Sequence, residues 1–405
     1  MKVGVINSGS SSIKYEVFDA GDLSMLATGL IEKIGSADGR LRQRRLKADG
    51  TFDEQIHTKP LANHREAVVF MASVNQHDRI IKDDAELIGI GHRVVHGGET
   101  FKEPVLINAD VIDSIRGLIP LAPLHNPANL LGIEAAQKRF VGVPQVAVFD
   151  TAFHHTMPPA AFRYAVPHEL YEKHHVRKYG FHGSSHGYVA KEAARHLGKP
   201  LSEVNFIILH LGNGASAAAV QGGRSIDTSM GMTPLEGLVM GTRCGDIDPS
   251  IPFFLIRQTG MKPEDVENLM NRESGLKGIC GVSDMREILG QAAKGNERAA
   301  LAIDTFCYRI KKYIGAYHAV LGRLDAVVFT GGIGENASAI RQRVCERLEH
   351  IGVSVDPGKN NAVKGSVAEI QQDGFPVKVL VVRTNEEREI AQQTISTIER
   401  AKGKG

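Results

Sequence analysis

Apolar residues fall in short blocks along the chain, each cut off by a cluster of glycine, serine and asparagine, with longer stretches of helical period between them. Val3-Gly-Val-Ile6 and Ile13-Lys-Tyr-Glu-Val-Phe18 flank the polar turn Asn7-Ser-Gly-Ser-Ser-Ser12. An apolar run at 205–211 and the small-residue run Ala215-Ser-Ala-Ala-Ala-Val220 flank Gly212-Asn-Gly214 in the same way. Both patterns predict hairpins with bare tips. Continuous apolar runs predict buried strands of the parallel type. They occur at Gln145-Val-Ala-Val-Phe149, Leu324-Asp-Ala-Val-Val-Phe-Thr330 and Lys378-Val-Leu-Val-Val382, with a further strand entering Gly97-Gly98. Helices are predicted near 64–76, after Asn126, over the segment bearing Val189, Ala190, Ala193 and Leu197, across 296–321 and 337–348, and over the last stretch with Ile390, Ile395 and Ile398. Asn126 with Pro127, then Ser184 or Ser185, then Thr384 with Glu387 as a capping box, are the expected helix starts.

The two hairpins repeat one design half a chain apart, Ser8-Gly-Ser-Ser11 matching Asn213-Gly-Ala-Ser216, so two related lobes are expected rather than a tandem array. A length of 405 residues suits two cores. The expected division is residues 1–150 with 386–405 in an N-terminal lobe and 151–385 in a C-terminal lobe holding the nucleotide site and dimer contacts. Pro158, Pro159 and Pro167 mark the change after Asp150.

Glycines at both hairpin tips leave backbone N–H groups uncovered, the chemistry of a phosphate cradle, and Lys14 on the outgoing strand can reach back as a point charge. A lone Gly-Asn-Gly is an ordinary turn; the repeat gives it weight. The strand into Gly97-Gly98 delivers Arg93 and His96 near its end, where open α/β sheets take their ligands. Asp150 caps another strand, a position for metal or acid–base work. His125 and His182 each precede a helix N-terminus, where a donor joins the helix dipole in favouring an anion. Arg243 lies between Gly241 and Gly245 in a loop too polar for core, suited to forking onto phosphoryl oxygens. Gly331-Gly-Ile-Gly-Glu-Asn336 reads as a bare loop between strand and helix and hence as a nucleotide site. It lacks both the third glycine of the dinucleotide fingerprint and the lysine of a P-loop. Glu386 is left for solvent or a metal. His182 and His186, four apart, lack the glutamate and third ligand of a zinc site.

The charge balance, 48 Lys+Arg against 46 Asp+Glu, gives no reason to expect nucleic acid or an anionic membrane as partner. The basic run Arg40-Leu-Arg-Gln-Arg-Arg-Leu-Lys47 reads as a solvated face. The scattered Cys244, Cys280, Cys307 and Cys345 and a start without a signal-peptide core fit a reducing cytoplasm.

Six stretches in register carry a resemblance: Asn7-Ser-Gly-Ser-Ser-Ser-Ile-Lys14, Gly91-His-Arg-Val-Val-His-Gly-Gly98, Tyr179-Gly-Phe-His-Gly-Ser-Ser-His186, His210-Leu-Gly-Asn-Gly214, Gly331-Gly-Ile-Gly-Glu-Asn336 and Thr384-Asn-Glu-Glu387. From end to end the chain resembles the acetokinase family. The resemblance implies an α/β fold of the duplicated actin-like, sugar-kinase-like ATPase type, two lobes around a nucleotide cleft. It also implies reversible phosphoryl transfer from ATP to acetate, giving ADP and acetyl phosphate, with Mg²⁺ and in a homodimer. By the same resemblance Arg93 and Arg243 grip substrate and transferring phosphoryl, His182 bonds that phosphoryl, Asp150 is the catalytic carboxylate, and Asn7 and Glu386 lie near the metal. His210, Leu211, Gly212, Asn213 and Gly214 are expected at the nucleotide, with Asp284, Met285, Arg286, Gly331, Gly332, Ile333, Gly334 and Glu335. His125 supports the acyl phosphate, and Val95, Leu124, Phe181 and Pro234 line a methyl pocket. Other readings are a propionate or butyrate kinase of the same family and an actin-like ATP-binding scaffold without acyl chemistry. A nicotinamide dehydrogenase is the weakest, its fingerprint being incomplete.

Overall fold

The computed structural model describes residues 1–47 and 49–403, which form two compact units. The first is Met1–Phe153 with the chain from Asn385 onward, the second His154–Thr384. The divisions thus fall three residues after and one residue before the expected ones. Residues 404 and 405 of the expected range lie outside the described residues.

The first unit is built on an eight-stranded sheet of β1 (Lys2–Ser8), β2 (Ile13–Asp19), β3 (Met25–Glu32), β4 (Arg40–Leu46), β5 (Phe52–Thr58), β6 (Leu87–Val94), β7 (Val105–Leu106) and β8 (Gln145–Phe149), in the order β5-β4-β3-β2-β1-β6-β8-β7. β1 to β5 form an antiparallel meander, and β6 and β8 run parallel to β1. Alternation decides the faces. Ile6, Tyr15, Val17 and Ile90 pack under the helix His64–His77. Val3, Val5, Val146 and Val148 pack against Ile390, Ala391, Ile395 and Ile398 of the helix Glu386–Lys402. The basic run is β4, with Arg42 and Arg44 exposed as expected of a solvated face.

The second unit repeats the plan with β9 (Asn205–Leu211), β10 (Ala215–Gln221), β11 (Arg224–Thr228), β12 (Ala326–Thr330), β13 (Val367–Glu369) and β14 (Lys378–Val382), ordered β11-β10-β9-β12-β14-β13. Here β9, β10 and β11 are the antiparallel meander, and β12 and β14 run parallel to β9 and to each other. Strands β9 and β12 are buried at every position, which is why they read as unbroken apolar runs. The motif β3-β2-β1-β6-β8 therefore recurs as β11-β10-β9-β12-β14. This is the two-lobed duplication that the paired hairpins predict, in an α/β fold of the type that the resemblance implies.

Candidate active site

In the first unit the expected residues gather at the carboxyl ends of β1, β6 and β8. Asn7 continues the face of Val3 and Val5, Arg93 that of Gly89 and Gly91, and Asp150 that of Val146 and Val148, so alternation alone puts all three on one side. The N-terminus of the helix Glu386–Lys402 begins on that side. Arg93 forks onto Asp150, with Nε 3.0 Å from Oδ1 and Nη2 2.7 Å from Oδ2, and its Nη2 lies 3.5 Å from Glu386 Oε2. Burial opposes the guanidinium's charge, but Asp150 and Glu386 outweigh it and hold the pKa above the ordinary value. Glu386 Oε2 is buried and accepts no hydrogen bond. That oxygen, ion-paired to Arg93 but accepting no hydrogen bond, and the Asn7 side chain at the end of β1 are hard-oxygen donors of the kind that fit a magnesium ion.

Lys14 differs from expectation. Its Nζ lies 2.5 Å from Glu387 Oε1 and 3.4 Å from Glu16 Oε1, so two carboxylates already hold the ammonium. The capping box is also absent, because Asn385 is the N-cap, accepting from Arg388 N at 2.9 Å, and Glu387 is turned to Lys14. Asparagine, the stronger cap and one residue nearer the helix than Thr384, has taken the position. Asn126 is likewise not an N-cap. His125 holds that position, and Asn126 instead brackets His96, accepting from its N and donating to its O. Asn129 accepts from Val95 N at 3.1 Å and donates to Ser8 O at 2.9 Å, joining the expected pocket wall to the first hairpin tip. Leu124 is half exposed beside His125.

In the second unit the hairpin tip is the centre. A side-chain carbon at Gly214 would sit 3.3 Å from His182 Nε2 and 3.6 Å from Arg243 Nη1, so the histidine and the arginine converge on the bare glycine. His182 stacks on His210, ring centroids 4.4 Å apart and planes 16° from parallel. It holds a left-handed backbone, φ 58°, at the start of the helix Gly183–His196, a conformation costly for a residue with a Cβ. That cap position belongs to His182; Ser184 and Ser185, the expected caps, lie inside the helix. His154, buried and neutral with its pKa pushed down to about 4 by burial, donates from Nε2 to Phe181 O and props the segment. Phe181 is almost fully buried.

Arg243 has no carboxylate within ion-pair range among the described residues. Its Nη1 donates to Pro234 O at 3.0 Å, and burial alone lowers its pKa. A desolvated guanidinium left without a counter-ion is a receptor for an incoming anion.

Gly331–Asn336 is a short helix rather than a bare loop. Gly331, at φ +76°, lets it start against β9, because a side chain there would meet Leu211 O at 2.8 Å. Glu335 turns back onto the fold, its Oε1 accepting from Gly331 N and Thr384 N at 3.0 Å each. Arg341, buried and unexpected from sequence, donates to Gly334 O and Glu335 O at 2.9 Å and to Asn360, closing the helix from below. Gly212, Asn213, Asp284, Met285, Arg286, Gly332 and Ile333 line a groove of about 790 Å³ within this unit, a size suited to a nucleotide. Asp284 caps the helix Met285–Ala293 and pairs with the exposed Arg286.

A family model described as the acetokinase family matches residues 2–392. The acetate kinase of Syntrophobacter fumaroxidans is 58% identical over 403 residues, 99% of this chain and 98% of that protein. Among solved structures, Porphyromonas gingivalis acetate kinase is 44% identical with a TM-score of 0.92, and a propionate kinase from Francisella tularensis is 43% identical with a TM-score of 0.90. Each covers 98% of this chain and 99% of the other. With the duplicated sheet, the bare hairpin tip and the histidine and arginine that converge on it, these matches fix the assignment: the chain belongs to the acetokinase family.

Proposed function

We propose that this protein is a kinase that transfers the γ-phosphoryl group of ATP to the carboxylate of acetate, giving acetyl phosphate and ADP, and that it runs the reaction in both directions. The observation that carries the reading is Arg243, desolvated, without a carboxylate partner, and meeting His182 at Gly214. Acetate is ionised at neutral pH and needs no strong base, so catalysis reduces to alignment and to neutralising charge on the transferring group. Arg243 and His182 supply donors for its equatorial oxygens. Arg93, held in place by Asp150, grips the acid, with His125 beside the acyl phosphate. The groove from Gly212 to Ile333 takes the nucleotide. Asn7 and Glu386 would hold Mg²⁺, which supplies charge neutralisation to the phosphates when bound. Lys14, clamped by Glu387 and Glu16, acts on the nucleotide only by releasing one of them.

The solved acetate and propionate kinases are alike in backbone, so acid length is set by side chains. Val95, with Leu124, Phe181 and Pro234, is read as the wall of the methyl pocket, and propionate is the second reading. The homodimer is assigned to the second unit, where Phe253 and Phe254 on the helix Ile251–Thr259, and Leu301 and Tyr308 about two turns apart on one face of the helix Glu297–Leu321, are each more than half exposed. No helix among the described residues is long and apolar enough to cross a membrane. The cytoplasm is the proposed location, with neither nucleic acid nor membrane as partner. Trapping acyl phosphate as hydroxamate, with ATP, Mg²⁺ and a panel of short acids, tests the reading. Absence of product with every acid would overturn it.

A further inference from the structure

Behind His210 lies a chain of hydroxyl groups that the phosphoryl chemistry does not itself use. His210 Nδ1 lies 2.8 Å from Ser185 Oγ, and Ser185 Oγ lies 2.8 Å from Thr384 Oγ1. Ser185 is fully buried in the first turn of the helix Gly183–His196. Thr384 is fixed in turn through its backbone, whose N–H donates to the Glu335 oxygen that also holds Gly331 N. One continuous polar chain thus runs from the start of the nucleotide helix to the imidazole at the second hairpin.

We propose that Ser185, backed by Thr384, is a positioning residue that holds His210 as the Nε2–H tautomer, so that the ring presents a donor to the nucleotide phosphates. The direction of the chain follows from counting hydrogens. If Thr384 donates to Ser185 and Ser185 donates to Nδ1, both hydroxyl hydrogens are used inside the chain. Run the other way, Nδ1–H donates to Ser185 and Ser185 to Thr384, and the last hydrogen is left to solvent at the part-exposed Thr384 Oγ1, outside the chain. The ligand side agrees. Nε2 faces the cradle, 3.9 Å from where a side chain at Gly212 would begin, and phosphate oxygens at that edge only accept. Nε2 must therefore carry the proton, and Nδ1 must accept. A carboxylate in place of Ser185 would accept from Nδ1–H and select the opposite tautomer, so a hydroxyl donor is the group this position requires.

The proposal rests on reading this groove as the nucleotide site, and its test is separable from that reading. Long-range ¹H–¹⁵N correlation on the unliganded, ¹⁵N-histidine-labelled full chain reports the tautomer directly, with the His210 signals assigned by their loss in His210→Asn. The wild type is expected to show protonated Nε2 and unprotonated Nδ1. Ser185→Ala and Thr384→Val are each expected to raise the Nδ1–H population and to increase KM for ATP about tenfold, with kcat changing much less, because the donor acts on nucleotide already in the ground state. Thr384→Ser keeps the hydroxyl and restores both readouts. Should Ser185→Ala not fold, the half-exposed Thr384 pair carries the test. A wild-type His210 protonated at Nδ1, or a tautomer unmoved by losing either hydroxyl, overturns the proposal. A wild type that makes no acyl phosphate would instead overturn the function and leave the tautomer measurement standing.

Discussion

Arg243→Ala separates catalysis from stability in a way that few active-site changes do. The guanidinium makes one hydrogen bond to an oxygen of the fold, Nη1 to Pro234 O at 3.0 Å, beside a weak one to Met240 Sδ at 3.8 Å, and has no ion pair among the described residues. Losing that bond costs about 1 kcal/mol, while removing a charge that burial already disfavours returns a similar amount. The melting temperature is therefore expected to move by less than about 3 °C. Catalysis should fall much further, because the donors that Arg243 offers to a charge-spread phosphoryl are worth ~2.7–4 kcal/mol apiece in a water-poor site, or about 10²- to 10³-fold in kcat. ADP binding should stay near normal, since the groove proposed to take the nucleotide, from Gly212 to Ile333, is not lined by Arg243. Arg243→Lys keeps the charge but not the fork and should recover only part of the loss. Hydroxamate trapping at saturating substrates, ADP titration by calorimetry and thermal unfolding of the same preparations measure the three quantities. A kcat within threefold of wild type would remove Arg243 from the transition state, and a parallel collapse of stability would show that its charge is compensated in the fold.

Asp150→Ala should behave oppositely in stability, costing up to about 3 kcal/mol in urea unfolding, because it strips the forked partner from a part-buried Arg93 and leaves it only Glu386. Val95→Ala should narrow the acetate-to-propionate ratio of kcat/KM by up to about tenfold through one methylene's worth of space, and an unmoved ratio would put the pocket elsewhere. Glu16 has its pKa pushed up to about 7 by burial and by the neighbouring Glu387. A raised carboxyl pKa contributes stability that is complete below the ordinary value and is lost as pH climbs through 7. Glu16→Gln should therefore flatten the pH dependence of melting and stabilise the protein at pH 8, by up to about 3 kcal/mol; a variant less stable than wild type at that pH would refute the assignment. Phe253→Glu with Tyr308→Glu should shift sedimentation toward the monomer with unfolding by circular dichroism unchanged, and a persistent dimer would move the interface off this face.

The hairpins, the buried parallel strands and the strand-end positions of Arg93 and Asp150 were legible because each depends on neighbours in sequence: period-two alternation, glycine at a tip, a carboxylate closing an apolar run. Helix starts were less legible. Asn126, Ser185 and Thr384 all carry cap-forming side chains, yet each is drawn instead to a distant partner, the His96 backbone, His210 and Ser185 respectively. Local propensity loses there to a buried group that needs satisfying. Arg341 gave no signal, since a buried arginine bonded only to neutral oxygens looks in sequence like any surface cation. The pairing of Lys14 was illegible for a related reason: Glu387 is 373 positions away, and no pattern in the chain announces it.

The helix that closes the chain belongs to the unit that opens it, and this has a consequence for birth on the ribosome. Residues 154–384 form one uninterrupted segment and can collapse as they emerge, with both arms of their sheet present before synthesis ends. The first unit cannot do so. Val3, Val5, Val146 and Val148 are made early, and the residues that cover them, Ile390, Ala391, Ile395 and Ile398, are made only after the whole second unit. For most of translation that apolar face has no cover of its own, which makes it the surface most in need of a chaperone. A nascent chain stalled short of residue 386 should expose it to a hydrophobic dye or to trigger-type chaperones, whereas one arrested after the last helix has cleared the exit tunnel should not.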